Sequence, residues 1–291
     1  MNGNNPYISV VIISYNGLEF IDDCLSSVKK SLEGVAAEII VVDNGSSDGT
    51  AILIKTKYPE IKLIANDTNL GFAMAANQGI KTVVGKYILL LNQDIRIREK
   101  AISLLAERLE QEEHIGVIGP KFIGFDGRLQ KGCRSFPRYG TLFFEFSGLS
   151  RLFPHSRLFS EWRMGWFNHL EESQVDQPMG AAMMFRKTLL EKIGFFDEGF
   201  GIFFNDVDFC RRAKEAGCKN LYFPEAVVEH YVGGSTRKMK ARMIYKSHGS
   251  MYRYFRKYNR AVLSLPLLYF WGVLLFLSAL LRIGHYKLFR R

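Results

Sequence analysis

Apolar and polar positions alternate in blocks along the first 120 residues, and each block has its own period. Residues 7–14 (YISVVIIS) are a near-continuous apolar, β-branched run, which predicts a buried strand. The next block places Leu18, Ile21, Leu25, Val28 and Leu32 at helical spacing and predicts a helix over 18–32. Residues 38–42 (EIIVV) read as a second strand, closed by the turn-rich Asp43-Asn44-Gly45-Ser46-Ser47-Asp48-Gly49. A short helix over 51–57, a strand over 61–65, an alanine-rich helix over 72–84 and a strand over 87–91 follow. That last strand ends in Asn92-Gln93-Asp94, ahead of an amphipathic helix over 99–113 and a strand over 117–123. Wholly apolar strands separated by helices indicate an α/β fold with a mostly parallel sheet, covered by helices on both faces. Ligands of such sheets sit beyond the carboxyl ends of the strands. Asp43 and Asp94 fall there.

Periodicity fades over 125–176, an aromatic and basic stretch that reads as loops and short helices. It returns over 180–186, a helical stretch to Ile193, a helix over 206–216, and a strand over 220–223 that Pro224 is expected to end. A composition of 47% hydrophobic and 23% charged residues is globular and excludes disorder. Cys24, Cys133, Cys210 and Cys218 form no CxxC pair, which suits reduced thiols better than disulfides or structural zinc.

The net charge of +10 is unevenly spread. No Asp or Glu follows Glu229, and 13 of the 39 Lys and Arg lie after Tyr231, leaving 26 basic against 29 acidic residues over 1–230. The expected division is therefore a catalytic-type domain over 1–235 and a basic tail over 236–291. Such a tail meets nucleic acid or an anionic membrane. It also contains 21 uncharged residues, 261–281, long enough as a helix for about 30 Å of hydrocarbon. Membrane is favoured over nucleic acid. Basic residues flank the segment on both sides, so both ends prefer the cytosol. Pro266 and Gly272 are expected to bend it, and monotopic association is preferred to a crossing. Residues 237–260 read as a basic amphipathic helix on an anionic surface, or packed on the domain, or both. MNGNNPY lacks the features of a signal peptide, so a cytoplasmic location at the inner leaflet is expected. A homodimer through the tail is left open.

The candidate chemistry is acidic and oxygen-rich. Asp94 beside a side-chain amide suits a hard cation such as Mg²⁺ or Mn²⁺. Asp206 and Asp208 open a helix, where capping explains one carboxylate more readily than both. His230 follows a strand, a common position for a metal ligand. The first strand is followed by Ser14-Tyr15-Asn16-Gly17, with neither a GxGxxG nor a P-loop, which argues against a dinucleotide fold.

Together, Ile12-Ile13-Ser14-Tyr15-Asn16, Val41-Val42-Asp43-Asn44-Gly45-Ser46-Ser47-Asp48-Gly49-Thr50, Asn69-Leu70-Gly71-Phe72-Ala73 and Leu89-Leu90-Leu91-Asn92-Gln93-Asp94 resemble glycosyltransferase family 2. The runs from Gly194 to Glu198 and from Asn205 to Arg211, and His230 with Gly233-Gly234-Ser235, continue the likeness. The nearest subgroup is the bacterial rhamnosyltransferase-like enzymes of cell-surface polysaccharide assembly. The resemblance implies a GT-A fold, a nucleotide-sugar donor such as dTDP-rhamnose or a UDP-sugar, a divalent metal, a lipid-linked saccharide acceptor and inversion at the anomeric carbon. It implies that Asp43 binds the nucleobase in a pocket with Ser14, Tyr15 and Asn16, and that Asn92 contacts the donor. Asp94 is the surviving acid of the family's DxD, and His230 helps hold the metal or diphosphate. Asp206 is the general base and Asp208 its understudy. Asn92 and Asn205 depart from the family pattern, which leaves a degenerate, non-catalytic scaffold as the rival reading.

Overall fold

In the computed structural model, which describes residues 6–231, 240–259 and 265–288, the apolar runs become strands because both of their faces are buried. In β1 (Ile8–Ser14), Val10 and Ile12 pack on one side of the sheet and Val11 and Ile13 on the other. Such a strand leaves no position for a polar alternation. β2 (Ala37–Asp43), β3 (Lys62–Ala65) and β4 (Tyr87–Asn92) join it in the order β3-β2-β1-β4, all parallel. The helices between them are α1 (Ile21–Ser31), α2 (Thr50–Lys57) and α3 (Phe72–Ile80). α1 buries Ile21, Cys24, Leu25 and Val28, with Asp22 and Asp23 in its first turn and Lys29 and Lys30 in its last, the charge order its dipole favours.

Beyond β4 the sheet is mixed. β5 (Ile95–Ile97), α4 (Ala101–Gln111) and β6 (Ile115–Ile123) lead to α5 (Tyr139–Phe146), α6 (Leu149–Leu152) and β7 (Ser173–Val175). β8 (Ala182–Arg186), α7 (Leu189–Ile193), α8 (Asn205–Glu215) and β9 (Lys219–His230) complete this part. β8 lies antiparallel between β4 and β6, and β9 pairs with β6 in parallel and with β5 and β7 antiparallel. The short strands β5 and β7 were not expected. Pro224 does not end β9: the register against β6 slips there, Pro120 pairing with Phe223 and Lys121 with Val227. A bulge is where a strand tolerates a residue with no N–H to donate. All four cysteines are free, and three are buried.

The tail forms α9 (Lys240–Tyr258) and α10 (Leu265–Leu288). α9 packs on the domain: Met251, Tyr254 and Phe255 share a core with Leu142, Phe200, Phe204 and Val207. α10 is one continuous helix, so no hairpin forms at Pro266 and Gly272. Pro266 sits in the first turn, where its missing N–H costs nothing. Gly272 faces Tyr252, and its lack of a side chain lets the two helices approach closely. The stripe Leu268, Trp271, Leu275 and Ala279 is buried, whereas Phe270, Val273, Phe276, Leu277 and Leu281 are exposed. Gly233-Gly234-Ser235, Arg237, Arg260 and residues 261–264 lie outside the described residues.

Candidate active site

Strand register assembles the site. Ser14 pairs with Asp43 and Ile13 with Asn92, so the carboxyl ends of β1, β2 and β4 are level. Gln93 then ties two of these ends together. Its Oε1 accepts from Ser14 Oγ (2.6 Å) and the Tyr15 amide (2.9 Å), and its Nε2 donates to the Tyr15 carbonyl (3.0 Å). Gln93 is 3% exposed, and sequence reading passed over it as the middle of a motif.

Two cavities open at these strand ends. The first, of about 220 Å³, is lined by Tyr15, Asn44, Asn69, Asn92, Gln93 and Asp94, and by Arg242, Met243 and Lys246 of α9. The second, of about 310 Å³, is lined by Asn92, Asp94, Gly180, Phe203, Asp206 and His230, among others. Phe72, Asn92, Asp94 and Ile202 line both. Asp94 therefore stands at the junction of the two cavities.

Of the residues expected at the nucleotide, Tyr15 and Asn92 line the first cavity, whereas Ser14, Asn16 and Asp43 do not. Both Asp43 carboxylate oxygens are engaged by Ser46, through its hydroxyl (2.5 Å) and its amide (3.1 Å). Asn16, at φ 47°, uses its Oδ1 to accept from the Ser47 amide (2.9 Å), which links the β1 turn to the β2 turn. Ser14 alone of the three bonds to a lining residue, Gln93. Asn44, one residue on, reaches the cavity instead and bonds to Asn69 and Leu70.

His230 comes beside Asp94 because β9 pairs with β5, Ile95 opposite His230. His230 Nε2 lies 3.8 Å from Asp94 Oδ1, and His230 Nδ1 is 3.0 Å from Gln130 Oε1. A carbonyl oxygen can only accept, so Gln130 selects the tautomer with a proton on Nδ1 and a lone pair on Nε2 facing Asp94. Burial pushes the Asp94 carboxyl up to about 6 and the His230 imidazole down to about 4. Near pH 7 the pair is thus a carboxylate and a neutral imidazole, the states in which each binds a cation. Among the described residues no cluster of three His, Cys, Asp or Glu is present. Two protein ligands still fit a hard dication that takes its remaining oxygens from water and phosphate.

Asp206 stands half-buried at the start of α8, after Phe204 in the left-handed region (φ 69°). One oxygen accepts from Gln177 Nε2 (2.6 Å) and the other from the Val207 amide (2.9 Å). Burial raises its pKa more than these bonds lower it. Gln177, just past the stretch read as loops, escaped sequence reading. Asp208, expected as a reserve base, lies on another face of α8. It is fully buried outside both cavities, held by Arg212 Nε (2.8 Å), Tyr258 Oη (2.7 Å) and Lys257 Nζ (2.5 Å). Two residues along a helix turn the side chain by about 200°, so the two carboxylates take different faces of α8, and Asp208 takes the face toward α9.

Gly180 gives one test of this geometry. A Cβ there would overlap the Asp206 carboxylate. Gly180→Ala should lower kcat by up to about 10²-fold, the effect of displacing a reacting group by roughly 1 Å. Gly140→Ala, with nothing within 4 Å of the added carbon, should leave kcat unchanged. Equal rates in both variants would remove Asp206 from the reacting geometry.

The profile of the glycosyl transferase family 2 domain matches residues 9–194. An N-acetylglucosaminyl-diphospho-decaprenol L-rhamnosyltransferase of Mycobacterium tuberculosis is 25% identical, over 84% of this chain and 82% of its own. A low-salt glycan biosynthesis hexosyltransferase of Haloferax volcanii is 28% identical over 71% of this chain and 61% of its own. Among solved structures, S. aureus TarS 1-349 in complex with UDP superposes with TM-score 0.54 at 18% identity, covering 89% of this chain and 74% of that one. GalNAc-T7 with UDP, GalNAc and Mn²⁺ gives TM-score 0.57 at 18% identity, covering 79% and 44%. Those structures share the GT-A fold with this chain. With the profile match running over well more than half its length, the chain belongs to glycosyl transferase family 2.

Proposed function

We propose that the chain is an inverting glycosyltransferase that moves a sugar, rhamnose from dTDP-rhamnose first among candidates, onto a lipid-linked or growing saccharide acceptor. The observation that carries the reading is the meeting of the two cavities at Asp94, with Asp206 in the second alone. The donor nucleotide occupies the first cavity and the acceptor hydroxyl enters the second. As the acceptor oxygen bonds to the anomeric carbon from one side, the bond to the diphosphate breaks on the other. Asp206 takes the hydroxyl proton, and inversion follows from the single displacement. Asp94 and His230 would hold Mg²⁺ or Mn²⁺, which when bound offsets the charge gained by the leaving diphosphate. The rhamnose donor and the lipid-linked acceptor rest on the mycobacterial relative, whose name states both a rhamnosyl transfer and a decaprenol-linked substrate.

Membrane association at the cytoplasmic face belongs to the same reading. α10 packs one stripe on α9 and leaves the rest of its apolar surface uncovered, which suits a helix lying in the interface better than a lone span. That position would present the second cavity to a lipid-linked acceptor.

The test is thermal stabilisation by a panel of dTDP- and UDP-sugars with Mn²⁺, Mg²⁺ or EDTA, followed by transfer assays with the best donor. A ligand at 100 times its Kd adds about 2.7 kcal/mol of stability. Stabilisation by dTDP-rhamnose with transfer supports the full reading, and a UDP-sugar in its place keeps the chemistry and changes the donor. A folded protein that responds to no donor leaves the degenerate scaffold, with Asn92 and Asn205 as its cause.

A further inference from the structure

The first cavity has the strand ends on one side and the tail on the other. Arg242 and Lys246 of α9 line it together with Asp94, the one carboxylate among its lining residues. Positions four apart on a helix project to the same side, so both cations leave α9 in one direction. No acidic residue follows Glu229, and no ion pair reaches either cation among the described residues. Burial and the charge of Arg242 both lower the Lys246 pKa, as expected of like charges sharing one space. The far half of α9 is fixed to the domain: Lys257 pairs with Asp197 (2.8 Å), Arg253 with Asp197 (3.1 Å), and Tyr254 Oη accepts from Arg211 (2.7 Å).

Two cations turned into a cavity, with no counter-charge of their own, make an anion subsite. The strand-end motif on the facing wall carries Asn92 where a second carboxylate would strengthen metal binding. Less of the donor's charge then has to be neutralised by a metal, and more by the protein. We propose that Arg242 and Lys246 clamp the diphosphate of the nucleotide-sugar donor, and that this clamp holds nucleoside diphosphates without a divalent cation. The inference rests on the reading of the first cavity as the donor site. The competing occupant is an anionic lipid headgroup. The geometry favours the nucleotide, because these cations line a cavity with Tyr15 and Asp94, whereas the uncovered apolar surface belongs to α10.

The test titrates the full chain with UDP and dTDP, and with uridine and thymidine, in EDTA and in Mn²⁺. Wild type is compared with Arg242→Ala, Lys246→Ala, the double variant and Lys246→Arg. Wild type should bind the diphosphates in EDTA, and each alanine should weaken them roughly tenfold, the scale of one charge-assisted hydrogen bond. Nucleoside affinity should not change, and Lys246→Arg should retain most of the diphosphate affinity. Equal diphosphate affinity in wild type and double variant overturns the proposal, as does an equal loss for nucleosides. Binding by wild type in Mn²⁺ alone overturns its metal-free part. Phosphatidylglycerol vesicles supply the last arm: a double variant that loses vesicles and keeps nucleotide assigns the cations to lipid and overturns the clamp. A wild type that binds no nucleotide under any condition defeats the donor reading itself, a result distinct from all of these.

Discussion

Replacing Asp206 by Asn should lower kcat by about 10²–10⁴-fold, the usual contribution of a positioned general base, while donor affinity stays unchanged. The separation follows from position, since Asp206 lines the second cavity and not the first. Asn preserves the size of the side chain and removes its basicity, together with one of the two oxygens that accept from Gln177 Nε2 and the Val207 amide. Nucleotide affinity that falls together with the rate would make Asp206 a ligand or a structural residue. The pH profile gives a second, independent reading. A base acts when ionised, and burial holds the Asp206 carboxyl above the ordinary carboxylate value of about 4. Transfer should therefore rise with pH along an acid limb displaced upward from that value, and the residual activity of Asp206→Asn should lack this limb. Burial also raises the Asp94 carboxyl, to about 6, so only a limb lost in Asp206→Asn belongs to the base. The sign for stability is opposite to that for rate. A carboxyl with a raised folded-state pKa keeps its proton more firmly in the fold, so its contribution is present at low pH and is lost as pH rises through the folded value.

What the sequence disclosed and what it hid divide along contact range. β1, β2 and β4 are legible because burial on both faces excludes polar residues from them, and the turns that follow must carry whatever chemistry the sheet presents. Asp94 was singled out in this way, whereas Asp206 was singled out at the start of a helix and His230 at the end of a later strand. β5 and β7 are three residues long and owe their pairing to β9, more than a hundred and about fifty residues further along, so no local pattern announces them. Gln130 and Gln177 act on His230 and Asp206 across 100 and 29 residues of chain, and glutamine has no period to read. The tail was read for its charge, its uncharged run and an amphipathic helix that meets an anionic surface, the domain, or both. That charge is real, yet α9 turns part of it inward, because Met251, Tyr254 and Phe255 dock on the domain and fix which side of the helix faces the cavity. The Asp206/Asp208 pair is the sharpest case. Both stand in the first turn of α8, and only the packing of α9 on one face tells them apart.

That packing predicts a large effect on stability for a residue once placed beside the base. Asp208→Ala should destabilise the fold by about 3–5 kcal/mol, the range for removing one partner from a buried ion pair. Its carboxylate is fully buried and engages Arg212, Tyr258 and Lys257. Without it, Arg212 still donates to the Phe195 carbonyl and Lys257 still meets Asp197, so the loss should stay near the lower end of the range. Tyr258 loses its only acceptor on α8, and the join between α8 and α9 is opened. Urea unfolding should show a lower midpoint with an unchanged slope, since the surface exposed on unfolding is the same. Asp208→Asn keeps the size and one acceptor and should be milder in the same direction. Kinetics then separate anchor from base. In the folded fraction of Asp208→Asn, kcat should remain near that of wild type, and any change should fall on donor KM, because α9 carries Arg242 and Lys246 into the donor cavity. A collapse of kcat with stability preserved would return Asp208 to the catalytic machinery and place the acceptor on the α9 side of α8.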